Sequence, residues 1–253
     1  MENFVSKDSI VRKIWGKSDT VLFIFAGAAA EFALNIAVDW LYFTGKLPAD
    51  PIGRLFSTVT YARRIVFSEM EEANRAIDKI TSIHKGVEQS RGASIPDWAY
   101  RDVLFMLIHY SIASYELLEK KLSDAEKEEV FRVFYRVGSG MHLKELPKTY
   151  EEWLPIRKAH MDTDLEKSKF TDDLFLQYQK HLGNTRFRIL IEAQKMVVPG
   201  RVSYLLEFGS VHWLAPVVPL YKLTRIMHVA WLVKYFLLPR SYQKQIRDLD
   251  VVT

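Results

Sequence analysis

The stretch TVLFIFAGAAAEFALNIAVDWLYF, residues 20–43, decides the fold. It is long and apolar enough to be read as a membrane span. Glu31, Asn35 and Asp39 argue otherwise, because they recur at i, i+4 and i+8 and share one helical face. A lone spanning helix would carry that polar stripe into hydrocarbon at a large cost. The stretch therefore reads as a buried core helix, with one polar face that needs partners inside the molecule.

Outward from this helix the chain reads as helix after helix, and alternating strand patterns with hairpin turns are nearly absent. SEME at 68–71, SDAE at 123–126 and TYEE at 149–152 each place Ser or Thr three residues before Glu, ahead of a periodic run. This is the signature of a capping box. Ser94 is predicted to cap a helix over 94–118, with Pro96 near its first turn. Gly138 and Gly183 are predicted helix ends, and 138–148 is the longest loop candidate. The expectation is an all-α fold of about nine to twelve helices with no sheet. Residues 1–253 are expected to form a single globular domain, with at most a soft division near 138–148, around a buried, largely apolar pocket.

Composition narrows the partners. Lys plus Arg is 35 and Asp plus Glu is 31, a net charge of +4 without the basic runs that bind phosphate backbones, so nucleic acid is not expected as a partner. There is no cysteine. That excludes disulfides, thiolate zinc sites, iron–sulfur clusters, a cysteine nucleophile and thiolate-ligated haem. Any metal must be held by His, a carboxylate, Tyr, Lys or Met. The N-terminal MENFVSKDSIVRKIWG lacks the apolar core of a secretory signal, which points to the cytoplasm. Residues 217–240 are apolar but carry Lys222, Arg225 and Lys234. They read as a core helix with snorkelling cations or, alternatively, as a membrane-surface helix.

Three features could carry chemistry. In DKITSIHKGV, residues 78–87, His84 lies on the apolar stripe of Ile77, Ile80 and Val87. His109 has Phe105, Met106, Ile112 and Ala113 as same-face neighbours, so it too points inward. Arg54, Thr58 and Tyr61 form a polar stripe on an otherwise apolar helix. Arg54 either pairs with a core carboxylate such as Glu31 or Asp39, or lines a cavity and meets a ligand. HMDTD at 160–164 reads as a solvated face rather than a metal site, given Glu166, Lys167 and Lys169 nearby. Zinc-protease, P-loop and nucleophile-elbow motifs are absent.

Taken in order, RKIWG, DPIGRLFSTVTY, IHKGV, LFMLIHYSIASYELL, LSDAEKEEVFRVFYRVGSGM, LPKTYEEW and FLLPRSYQKQI resemble the helical oxygenases that include the bacterial latex-clearing rubber oxygenases and the fungal mycophenolic-acid-pathway oxygenase. The resemblance implies an all-helical haem b fold and dioxygen-dependent cleavage of an isoprenoid C=C bond. It implies His84 as the axial iron ligand, Arg54 and Thr58 as the catalytic distal pair, and His109 at the cavity or haem edge. Tyr61, Arg63 and Arg64 are candidate partners for the haem propionates. Ser57 stands where the rubber oxygenases have a lysine able to reach the iron. With that departure and a shorter chain, the expected substrate is a small apolar molecule rather than polyisoprene. Two other readings remain: a haem protein with a peroxidase-like or sensing task, and a lipid- or membrane-surface-binding helical protein without redox chemistry.

Overall fold

Residues 20–43 form three pieces rather than one helix. The computed structural model of the chain describes residues 2–219, Tyr221 and Leu249. In it α1 spans Ile10–Trp15 and α2 spans Ser18–Phe32. Asn35 then caps a 3₁₀ turn, Ile36–Val38, its side chain accepting from the Ala37 N–H at 2.9 Å, and α3 follows over Asp39–Phe43. An Asn side chain that bonds the local backbone competes with the helical ladder, which is why the helix stops here. The break sends the three polar residues to three different partners. Glu31 receives Arg157 and Tyr110, Asn35 donates to Asp102 at 2.7 Å, and Asp39 pairs with Arg91 at 2.6 Å. The expected continuous polar stripe is thus replaced by three separate anchors.

The remaining elements are α4 (Lys46–Ala49), α5 (Pro51–Phe67), α6 (Met70–Arg91), α7 (Asp97–Leu118), α8 (Asp124–Gly140), α9 (Tyr150–Thr163), α10 (Lys169–Val197) and α11 (Gly200–Leu205). Among the described residues the only β-pairing is two isolated bridges, so the fold is all-α. No helix among those residues is long and apolar enough to cross a membrane. Most of the amphipathic stretch 217–240, and all of FLLPRSYQKQI, lies outside the described residues.

The capping box at Ser123 forms as predicted, with Glu126. At Thr149 the side chain caps Glu152 N–H, but the Glu152 carboxylate turns to the Lys148 N–H instead. Other boundary signals shift. Ser68 ends α5, and α6 starts from Glu69 without a side-chain cap. Pro96, not Ser94, is the N-cap of α7. α8 runs two residues past Gly138. At Gly183 the signal holds: φ 74° and ψ 163° leave helical space, so α10 is two helical segments joined at a kink, the first ending at this glycine, which tolerates positive φ for want of a Cβ.

α2 is the centre of the molecule. It packs closely on α7, and Gly27 makes that approach feasible: a Cβ there would overlap the Tyr110 ring and press on Val197 of α10. Trp15, Trp153, Tyr110 and Phe105 are fully buried in the main core. Trp15 meets its indole requirement by donating to Ser111 at 3.1 Å. Gly27→Ala is expected to lower unfolding free energy by roughly 1–3 kcal/mol, read by urea denaturation; an unchanged midpoint would mean that the α2–α7 contact relaxes freely.

Candidate functional site

Asp50 opens α5, its carboxylate accepting from the Gly53 N–H at 2.8 Å with Pro51 in the first turn. That start sets the helix phase: Arg54, Thr58 and Tyr61 share one face of α5, and the Arg54 charge acts on His84 of α6. The Arg54 guanidinium is lowered by burial, partly offset by Tyr61. Thr58 donates back to the Arg54 carbonyl at 3.3 Å, leaving its oxygen as an acceptor.

His84 is half-buried, and its ring leans on Tyr100 of α7 with centroids 5.0 Å apart. The inward stripe of α6 is fully buried only at Ala73, Ala76 and Ile77, so His84 lies nearer the rim than its apolar spacing predicts. Burial, and then the positive charge of Arg54, push the imidazole down to about 4, against the pull of Glu88. Glu88 itself accepts from the Ile95 N–H at 2.8 Å and the Tyr100 hydroxyl at 3.3 Å. The imidazole is therefore neutral at pH 7, and its buried Nδ1 has no hydrogen-bond partner. A neutral imidazole with an uncommitted buried nitrogen is a competent metal donor, and the adjacent guanidinium suits an anionic group.

The other predicted residues divide. Arg63 turns to α1, donating to the carbonyls of Trp15 and, at 2.6 Å, Leu249. Arg64 is exposed and pairs with Glu72 at 3.0 Å. Ser57 is half-buried on α5. His109 does not meet the purely apolar surroundings that its neighbours suggest. It lies beside Arg157 and Glu31, bonds the Val197 backbone, and is pushed down to about 4 by burial and then by Arg157. Arg157 and Glu31 form an ion pair at 2.5 Å with side chains 4% and 1% exposed, so the carboxylate expected to serve Arg54 is taken by α9. Asp39 is likewise taken, by Arg91.

A second polar cluster adjoins this one. His160 Nδ1 donates to Asp102 at 2.6 Å, Asn35 holds the other Asp102 oxygen, and the His160 ring stacks on Phe105. With Asp164, these residues bring three ligand-type atoms within 4.8 Å of one another. The expected solvated face at 160–164 is thus half-buried at His160 and Asp164. Arg157 acts on Asp102 and Arg101 on Asp164, so cations of the protein already oppose these carboxylates. The spacing held the signal: Trp153, Arg157 and His160 share one stripe of α9, and Asp102 lies one heptad before His109 on α7.

A cavity of about 450 Å³ opens between α2, α5, α10 and Trp213, Leu214, Val217, Val218 and Tyr221. From α5 it takes Ile52, Leu55, Phe56 and Val59, the face turned away from Arg54, Thr58 and Tyr61. None of the predicted site residues lines it. The apolar chamber and His84 therefore lie on different sides of α5.

The family model described as ER-bound oxygenase mpaB/B'/rubber oxygenase, catalytic domain, matches residues 15–247. The chain belongs to this family. It is an oxygenase catalytic domain, and the matched span takes in α2 to α11 with both polar clusters. Comparison with curated proteins and with solved structures gives no match.

His84 and His109 both hold a depressed basicity. Unfolding lets each rise to the ordinary histidine value of about 6.5, so the unfolded chain binds more protons in between. Their contribution to stability is complete above about pH 6.5 and is lost as pH falls towards 4. Urea midpoints measured across that window should fall with acidification, and His84→Gln should flatten the slope. An unchanged slope would place His84 in water.

Proposed function

We propose that the chain is a haem-dependent oxygenase that uses dioxygen to cleave a C=C bond in a small apolar, isoprenoid-like substrate. The observation that carries this reading is the neutral His84 imidazole, its Nδ1 buried and unpartnered, beside Arg54 in an oxygenase domain. The donor set suits haem b: a buried, uncommitted imidazole nitrogen, no competing thiolate, and a guanidinium acting on the ring with a phenol beside that guanidinium.

His84 would hold the iron through its free ring nitrogen, kept deprotonated by burial and by Arg54. Haem b, when bound, supplies the activation of dioxygen. Arg54 would offer its charge to anionic groups at the cofactor, with the Thr58 oxygen on the same face. Tyr61 follows on that face as a further polar partner. Arg63 and Arg64 already have partners, so they would have to exchange these before reaching a propionate. Ser57 is too short and too weak a donor to take the lysine's place. The apolar cavity, of a size typical for small-molecule sites, lies across α5 from His84, and its lining supports binding of an apolar molecule by the chain. The overall change balances as one alkene plus one dioxygen giving two carbonyl groups.

Oxygen uptake by the haem-loaded protein with a panel of small isoprenoid alkenes tests the reading. Uptake should match alkene loss one for one, and Arg54→Ala should slow it by about a hundredfold. Bound haem with no alkene-dependent uptake would instead favour a sensing or peroxidase-like haem protein.

A further inference from the structure

Among the described residues the cavity behind α5 is lined almost throughout by apolar side chains, and two charged ones reach it, Asp19 of α2 and Arg186 of α10. Their situations differ. The Asp19 carboxylate is engaged on both oxygens, accepting from the Thr20 N–H at 2.8 Å and from the Tyr221 hydroxyl at 3.1 Å. The Arg186 guanidinium has no ion pair or hydrogen bond among the described residues, and its Nε is buried from solvent. A half-buried guanidinium with a hidden, unpartnered N–H at an apolar wall is an unsatisfied group, and a planar cation of this kind is best met by a carboxylate or phosphate.

The chain could have avoided this arrangement. Arg188, two residues on, is exposed and does not line the cavity. The kink at Gly183 restarts α10 so that Leu182, Arg186, Ile189, Leu190 and Ala193 share the cavity face, with Arg186 the one cation in that row. Opposite stand Leu22, Phe23 and Ala26 of α2 and the α5 wall. The pattern, an apolar chamber with one uncommitted guanidinium among the described residues, matches a ligand that is mostly hydrocarbon and anionic at one end.

We propose that the cavity between α2, α5 and α10 binds an amphipathic acid, an apolar chain ending in a carboxylate or phosphate, with Arg186 receiving the anionic end. Phe56, Leu190 and Trp213 are walls for the chain. The inference rests on the cavity being the ligand chamber, as proposed above, but does not depend on haem at His84.

Calorimetric titration of the full chain with oleate below its micellar concentration, beside methyl oleate and oleyl phosphate, provides the test. Oleate and oleyl phosphate should bind saturably at one per chain, and the ester about tenfold or more weakly. Arg186→Gln should bring oleate down to the affinity of the ester, Arg186→Lys should retain part of the difference, and Arg188→Gln should change nothing. Should Arg186→Gln fail to fold, the acid-to-ester ratio on the unaltered chain still decides. Equal affinity for acid and ester, or oleate binding untouched by Arg186→Gln, overturns the proposal. So does association only with anionic vesicles, weakened by salt, without uptake of soluble acid. If the acids bind through Arg186 and the haem-loaded protein takes up no oxygen with any of them, the inference stands and the oxygenase reading of the chamber falls.

Discussion

The ion pair between Glu31 and Arg157 is the constraint on which the rest depends. Both side chains are out of water, and the Tyr110 hydroxyl donates to the same carboxylate at 2.8 Å. A charge buried this deeply is tolerated only while its partner stays in place, and losing one partner of such a pair costs about 3–5 kcal/mol. The pair therefore fixes α9 against α2, and Tyr110 fixes α7 to both. One turn earlier on α2, Gly27 gives the room that lets the Tyr110 ring come close enough for the bond to form.

From that junction the candidate site follows by position. α7, held at Tyr110, carries Asp102 towards Asn35 and His160, and carries Tyr100 at its outer end onto the His84 ring. α6 is tied at its far end by Arg91, which bonds Asp39 and lies 4.0 Å over the Trp40 ring. His84 is thus placed from two sides, and α5 brings Arg54 near enough for its charge to act on the imidazole. The same α5 presents Leu55, Phe56 and Val59 to the apolar chamber. One helix carries a charged face towards the candidate cofactor site and an apolar face towards the candidate ligand site, a division set by the 3.6-residue period of its sequence.

Much of this was legible in the chain. The helical period, the Ser123 box and the Arg54–Thr58–Tyr61 stripe are local signals, and the structure keeps them. The need of residues 20–43 for internal polar partners was legible as well, but which partners was not. Pairing Glu31 with Arg157 spans 126 positions, and no local pattern reports so distant a contact. By spacing Asn35 is one rung of a helical stripe, but its side chain bonds the local backbone and breaks the helix. The aspartate–histidine cluster was missed because Glu166, Lys167 and Lys169 made the segment look wet, whereas Trp153 and Arg157 on the same stripe mark it as packed. The Arg186 wall depends on the kink at Gly183: the sequence marks this glycine as a helix end, but not that a second segment restarts directly after it.

The central claim is that His84 is the donor for an iron cofactor. Titrating the purified chain with haem and following the Soret absorbance tests it most directly, with His84→Ala and His109→Ala in parallel and free imidazole added to each. Tight, stoichiometric binding is expected for the unaltered chain and for His109→Ala, with loss in His84→Ala that added imidazole restores. Full haem binding by His84→Ala, with loss in His109→Ala, would contradict it.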